Sequence, residues 1–571
     1  MTAGWKRRDA LLLALIVTGG AVARFYGLGF GLPHQGVRPD ELTLIARVME
    51  FFSWDLNPRF FSYPSLLMYI LFAAYNVYYS LGLALGRFQS LGDFVAFYAV
   101  DPSSFFLISR GISAFFGTIS IVALYQVGIR LFGRLVAILG AFFLAFAYLH
   151  VRDSHFGTTD VPVTFFLIAS YLGLAAAWDF PSARHATWAG LFAGLAASTK
   201  YMGVLLWVPM TLVRLLSPAP REQSRPAALN RILLFFGLAF AAAFLAGTPF
   251  ALLELGRIRG DFAREIRAVW AFGYPLPPAW IYHLTVSLRY GLGLPLLGAS
   301  LAGAIVLLRR DWRRACLFMS FPLLYYVLMG RGNRDFVRYA IPLIPFLCVM
   351  AAGFVESVHS LARRKLAPGL SSGLTVALAV LLVLPSLTSV AQLDRLLSKE
   401  DTRVAARRYV EKSIPAGSTL SEFSGAFGDL GLSPSAESLQ KLLESTDAKP
   451  VQKQIDRARW DSVRTGETPG YVLLRYDPET KRFQADDGTV VENPDFLVLE
   501  ESPLRFYPAT VPPEIHNLVR SGYVLKQSFG AYEELPEGTI FNEMDALYLP
   551  FAGFSGYSRP GPNIFIYQQI Q

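Results

Sequence analysis

Carboxylates are scarce in most of this chain. Residues 1 to 393 hold 17 Asp and Glu against 33 Lys and Arg, whereas residues 394 to 571 hold 26 against 19. Charge of either sign is low, at 17% of 571 residues, and mean hydropathy is +0.38 with 53% apolar residues. So small a charged fraction excludes a soluble protein of this length and implies an integral membrane protein. The only two cysteines, Cys316 and Cys348, lie inside apolar runs, which excludes a disulfide framework. There is no phosphate-binding glycine loop, dinucleotide fingerprint, cysteine metal motif or repeat of fixed period. The net charge of +9 is the balance of a basic apolar part and an acidic tail, so it gives no argument for a nucleic-acid partner.

What is present is a series of apolar runs, near residues 10–27, 106–129, 134–149, 161–178, 186–199, 201–216, 231–250, 291–308, 315–330, 339–357 and 373–392. Read as eleven crossings, they put Lys6, Arg7 and Arg8, then Arg130 and Arg134, Arg184, the arginines at 214, 221, 225 and 231, those at 309, 310, 313 and 314, and finally Arg363, Arg364 and Lys365 on one side. Each of those loops is basic, as cytoplasmic loops are. The N-terminus is then cytoplasmic, in a multi-pass membrane protein. Ala21, Val22 and Ala23 resemble a signal-peptidase site, but the expectation is a retained first helix. The stretch from Tyr63 to Leu85 would upset the charge rule if it crossed. It is therefore expected to lie along the membrane surface, where tyrosines such as Tyr63, Tyr69, Tyr75, Tyr78 and Tyr79 accumulate.

The expected fold is a mostly α polytopic membrane bundle, residues 1–393, with an outward first loop at 28–105. A soluble α/β domain, residues 394–571, follows on the periplasmic or extracellular side. In that domain a helix is expected over Thr402 to Lys412, with shorter ones near Ser438 to Leu443 and Ile515 to Ser521. Strands are expected at Tyr471 to Tyr476, Phe496 to Leu499, Tyr523 to Phe529 and Ile564 to Tyr567.

Against the scarcity of acids, three stand beside apolar helices on the outward side. Asp40 and Glu41 follow Arg38 and Pro39 and open a run with apolar residues at Leu42, Ile45, Val48, Met49 and Phe52. Asp160 opens the run from 161 and ends a polar loop containing His150, Arg152, Asp153 and His155. Helix capping alone accounts for acids at such positions, but it does not account for so polar a loop between two crossings. Ionised groups at this depth usually face a cavity. His150 and His155 lack metal-ligand spacing and read as hydrogen-bonding loop residues.

One outward loop breaks the charge rule. It carries Arg331, Arg334, Arg338 and Tyr339 around Asp335, and Lys200 with Tyr201 sits at the outer turn between the runs 186–199 and 201–216. Guanidinium groups on that side suit a bound phosphate; snorkelling or pairing with Asp335 is the plainer reading. A carboxylate pair, a further acid and a basic patch together suggest transfer of a group carried on a lipid phosphate. Such a phosphate leaves readily once its charge is stabilised, and a carboxylate takes the acceptor's proton.

The ordered segments RPDELTLIA, YPSL, HVRDSHFGTTDVPVTFF, GLAASTKY, RYAIPLIP, DTRVAARRYVEKSIPAG and RPGPNIFIY resemble the C-type (GT-C) glycosyltransferases that use polyprenyl-phosphate sugars. Protein O-mannosyltransferases and the lipid A aminoarabinose transferase are relatives of that group. The likeness runs over nearly the whole chain, and the group's first-loop YPPL stands here as Tyr63, Pro64, Ser65 and Leu66. It implies an inverting glycosyltransferase of the cell envelope, with a polyprenyl-phosphate-linked sugar donor and a lipid, glycan or protein acceptor. Asp40 is then the base, Glu41 its neighbour and Asp160 the second-loop acid. Arg38, His155, Lys200, Tyr201, Arg331, Arg334, Arg338 and Tyr339 are the substrate-binding candidates. A divalent cation, Mg2+ or Mn2+, shared by Asp40 and Asp160 is open on this reading. A membrane transporter or lipid-linked sugar flippase is the alternative, though the internal repeats usual in transporters are not evident. A sensor or scaffold would leave the three acids without a common purpose.

Overall fold

The computed structural model describes residues 7–218, 226–271, 278–332, 336–444, 449–485, 488–535 and 537–570. Lys6, Arg221, Arg225, Arg334 and Asp335, named above, lie outside them. The described chain is mostly helical, with its strands confined to the C-terminal part. It divides into two compact units. The first comprises Met1–Tyr26, Asn57–Ile70 and Arg110–Gln392, and the second Gly27–Leu56, Leu71–Ser109 and Leu393–Gln571.

Each of the eleven apolar runs is helical, but eleven is not the number of helices that meet the requirements for crossing. Among the described residues six are long and apolar enough, or eight if each of two bent pairs is one span. One of the six is Leu66–Ala84, so length and composition permit this stretch to cross as well as to lie flat. Several expected crossings fall short for a simple reason. Ala183–Thr199 has 17 residues, about 26 Å of helix at ~1.5 Å per residue, against a hydrocarbon core of ~30 Å.

The first unit holds its helices together by close backbone contact. Ala183–Thr199 packs on Pro226–Gly247 through Gly190 and Gly194, where a β-carbon would come within 2.2 Å of the Phe236 carbonyl oxygen and 2.3 Å of that of Phe240. Apolar helices gain nothing from hydrophobic burial in lipid, so small residues that admit close van der Waals approach carry the association. Elsewhere a break has to be repaired. Arg134–Phe146 and Tyr148–Ser154 bend by 55° at the extended Ala147, which strands backbone polar groups. The buried Arg24 donates to the carbonyls of Ala145 at 2.8 Å and Leu144 at 2.9 Å, and the Tyr148 amide donates to Ser386 Oγ at 2.7 Å. A lone arginine in the first apolar run is thus a helix cap supplied from another helix.

The second unit begins with the first-loop helices. Pro39–Glu50 has proline at its start and buries Leu44, Ile45, Val48 and Met49. Leu91–Val100 is fixed at its start by a capping box between Ser90 and Asp93. Around them Tyr75, Phe88, Phe94 and Phe105 form edge-to-face and tilted ring pairs with centroids 5.0 to 5.2 Å apart. Tyr75 was expected at an interface. It is instead fully buried, because its hydroxyl donates to the Phe105 carbonyl at 2.9 Å and so needs no water.

The C-terminal part forms a mixed sheet: β1 Thr419–Phe423, β2 Ser433–Pro434, β3 Gly470–Asp477, β4 Arg482–Ala485, β5 Val490–Val491, β6 Phe496–Glu501, β7 Tyr523–Phe529 and β8 Asn563–Gln569. Its order is β5-β4-β3-β1-β6-β8-β7, with β2 beside β3. The pairs of β1 with β3 and with β6 are parallel, and β8 runs antiparallel to both β6 and β7. β6 is buried on both faces, with Val498 against the helix Thr402–Ser413 cluster and Leu497 and Leu499 in the cluster around Ile515. That is why Phe496 to Leu499 reads as an unbroken apolar run and not as an alternation. The expected strands and helices are all there. β1 and the helix Pro450–Arg464 were missed, because TLSEF carries a glutamate and the helix is rich in charge.

That glutamate has a consequence for stability. Burial pushes Glu422 on β1 and Glu500 on β6 up to about 7, whereas burial and Arg403 lower His34 to about 4. A carboxyl whose folded pKa is raised favours the fold fully below its unfolded value near 4.5, and that advantage is lost as pH rises through about 7. His34 works oppositely, its advantage being present above about 6.5 and lost as pH falls towards about 4. Glu500→Gln should therefore stabilise at pH 8 by about 3 kcal/mol and leave stability at pH 5 nearly unchanged. Thermal unfolding at the two pH values checks this, and an equal shift at both would contradict it.

Candidate functional site

In the first unit three of the expected residues meet. Asp160 lies in the first turn of the helix Asp160–Asp179, Lys200 joins Ala183–Thr199 to the tighter turn Tyr201–Leu206, and Arg338 lies in the 3-10 turn Val337–Leu343. Each comes from a point where a regular helix starts or gives way, which is where a side chain can turn inward. Lys200 Nζ is 2.6 Å from Asp160 Oδ1, and Arg338 Nε is 3.9 Å from Asp160 Oδ2. The side chains of Asp160 and Arg338 are 4% and 7% exposed. Aromatic faces support the cations, with Arg338 4.0 Å from the Phe336 ring centre and Lys200 5.1 Å from that of Tyr339. Tyr325 donates its hydroxyl to the Tyr339 carbonyl at 2.9 Å and so fixes that turn.

Two cations face one carboxylate here beside a helix N-terminus. Cations held together away from bulk water suit an anion. The same arrangement opposes a metal at Asp160, whose two oxygens already face cations. No group of three His, Cys, Asp or Glu side chains able to hold a metal occurs among the described residues.

In the second unit the first-loop acids separate in character. Asp40 has a side chain 29% exposed, whereas Glu41 is fully buried. Arg38, the residue before the helix, is 1% exposed and turned inward. Its Nη1 lies 2.9 Å from Asp545 Oδ1 and donates to the Asp545 carbonyl at 3.1 Å, with Asp40 3.9 Å from Nη2. Arg38 therefore anchors the start of the helix that carries Asp40, through a partner 507 residues away.

The remaining candidates fall outside this grouping. His155 is buried, with Nδ1 3.0 Å from the Val151 carbonyl and Nε2 2.9 Å from that of Tyr26, so both ring nitrogens serve the backbone. Tyr201 donates to the Phe61 carbonyl at 2.8 Å. Arg331 is exposed, and Arg334 lies outside the described residues. Arg24 and Asp545 were missed. A single arginine inside an apolar run was the available signal for Arg24; nothing local marks Asp545.

Residues 106–248 match the family described as dolichyl-phosphate-mannose-protein mannosyltransferase. No curated protein sequence matches the chain. Among solved structures it resembles ArnT from Cupriavidus metallidurans bound to undecaprenyl phosphate, at 14% identity and TM-score 0.51 over 98% of this chain and 97% of that one. The Archaeoglobus fulgidus oligosaccharyltransferase in its apo form aligns at 13% identity and TM-score 0.49, over 84% of this chain and 66% of that one, so this chain spans just under two thirds of its length. The Saccharomyces cerevisiae Pmt1-Pmt2 complex bound to the sugar donor aligns at 19% identity and TM-score 0.32, over 49% of this chain and 37% of that one. At such identities likeness speaks to fold alone, and the ArnT alignment carries it. The chain thus has the fold of the C-type glycosyltransferases, and within it residues 106–248 match the dolichyl-phosphate-mannose-protein mannosyltransferase family.

Proposed function

We propose that this protein transfers a sugar from a polyprenyl-phosphate donor to an acceptor at the outer face of the membrane, with inversion at the anomeric carbon. The observation that carries the reading is the convergence of Lys200 and Arg338 on Asp160. The ArnT structure it resembles is bound to undecaprenyl phosphate, a phosphate on a long isoprenoid. A polyprenyl-phosphate sugar is a phosphodiester with one negative charge. When the bond from the anomeric carbon to the phosphate oxygen breaks, the departing polyprenyl phosphate holds a second charge. Cations fixed beside that oxygen therefore bind the transition state more tightly than the donor, which is the condition for acceleration.

Asp160 holds the two cations in place and lowers the cost of burying them. The acceptor hydroxyl attacks the anomeric carbon from the opposite side and gives its proton to Asp40, the exposed member of the first-loop pair. No proton is needed on the leaving group, because the phosphate departs as an anion.

Lys200→Gln and Arg338→Gln should each slow sugar transfer from a polyprenyl-phosphate donor by about 10²–10³-fold. Arg338→Lys, which keeps the charge but loses the fork, should lose less. The measurement is release of labelled sugar in proteoliposomes, with a melting curve to establish that each variant folds. Transfer at the parental rate in the Lys200→Gln, Arg338→Gln double variant would refute the reading.

A further inference from the structure

A second polar cleft lies wholly within the second unit and plays no part in the chemistry above. It has a volume of about 420 Å³, within the range of small-molecule sites. Gln35, Phe427, Asp429, Ser433 and Arg459 are among its walls.

Phe427 is unusual in two respects. Its φ is +63°, a left-handed conformation that a bulky residue rarely adopts, and the residue is 39% exposed. The conformation is held from behind. Arg403, 1% exposed, donates from Nη1 to the Phe427 carbonyl at 2.8 Å, while its Nε and Nη2 grip the two oxygens of buried Asp401 at 2.9 and 2.8 Å. A buried ion pair thus fixes an apolar ring at the edge of a polar cleft, against the ring's own preference for burial. Strain of this kind persists where the surroundings over-determine it, and it clusters at ligand sites.

The groups around the ring complete a pattern. Neither the Asp429 carboxylate nor the Arg459 guanidinium makes a hydrogen bond or ion pair with any described residue, so one acceptor and one set of donors stand ready in the same cleft. Arg407 on the cleft wall is already paired with Glu411 at 2.7 Å. His34 is neutral near pH 7, its pKa being lowered to about 4 by burial and Arg403. The free charges therefore balance, which argues against a purely anionic ligand. An exposed aromatic face beside a carboxylate and a guanidinium suits a molecule with one C–H-rich face and a rim of hydroxyls, namely a pyranose ring.

We infer that this cleft is a carbohydrate-binding site for a neutral sugar residue, stacked on Phe427 and hydrogen-bonded by Asp429 and Arg459. Taking that sugar as part of the acceptor rests on the transferase reading; the binding itself does not.

The test uses the full chain in nanodiscs and ligand-observed NMR titration with the methyl pyranosides of glucose, mannose and galactose, together with inorganic phosphate. At least one glycoside should bind. Phe427→Gly, which takes the left-handed conformation without strain and so keeps the loop, should weaken that binding tenfold or more. Asp429→Asn should weaken it similarly, and phosphate should not compete. Absence of binding by all three glycosides, equal binding by Phe427→Gly, or full displacement by phosphate would each overturn the inference. Asp40→Asn should bind the glycoside as the parent does. Loss of transfer in that variant with glycoside binding insensitive to Phe427→Gly would leave the transferase reading standing and remove this one, and the reverse pattern would do the opposite.

Discussion

Asp40→Asn should lower the turnover of sugar transfer by about 10²–10⁴-fold, the range attributed to a positioned general base, while leaving the KM for the lipid donor little changed. Asparagine matches the size of aspartate and keeps a polar side chain in the first turn of Pro39–Glu50, so the local helix is retained. What it cannot do is accept the acceptor's proton. Glu41 cannot take over, because its side chain is fully buried whereas that of Asp40 is 29% exposed. The same variant separates the two function classes considered from sequence. A transporter or flippase would move its lipid-linked cargo unimpaired, since no proton is transferred. Release of labelled sugar alongside lipid translocation in one proteoliposome preparation gives both readings, and transfer within threefold of the parent would sink the role assigned to Asp40.

The second large effect concerns stability. Removing the carboxylate in Asp545→Ala should cost about 3–5 kcal/mol, the usual penalty for deleting one member of a buried ion pair. Arg38 is 1% exposed and the side chain of Asp545 is 0% exposed, so water cannot replace the lost carboxylate without opening the packing. The pair is weak evidence for stability as such. Arg38→Met combined with Asp545→Leu removes both charges and should recover most of the loss. Because Arg38 directly precedes the helix that carries Asp40, the single variant should also reduce transfer at temperatures where it is still folded. Denaturant unfolding of the two single variants and the double variant measures the coupling. A single-variant loss under about 1 kcal/mol would show that the ion pair is dispensable.

Local pattern carried far in this chain. The apolar runs became helices, the start of Pro39–Glu50 was marked by its proline and acids, and Tyr523–Phe529 came out as a strand with the bounds expected. Asp160, Lys200 and Arg338 were each singled out because a charge beside an apolar run needs a reason, and they meet at 2.6 and 3.9 Å. Other residues raised by the same reasoning went elsewhere. His155 and Tyr201 bond backbone carbonyls, and Arg38 pairs with Asp545. A buried cation looks the same in sequence whether its partner is a ligand or the protein's own carboxylate, because that choice depends on segments hundreds of residues apart.

The sequence by itself determined the membrane character, the placement of most helices and half of the strands, and the short list of charged groups. These follow from periodicity, composition and the cost of charge near lipid, all of which act over a few neighbouring residues. Only the tertiary structure decided which charges are paired, that Glu41 is buried while Asp40 is partly open, and that Phe427 is held in the left-handed region by Arg403. Those outcomes depend on desolvation and on hydrogen-bond partners brought together by packing, which local pattern does not encode.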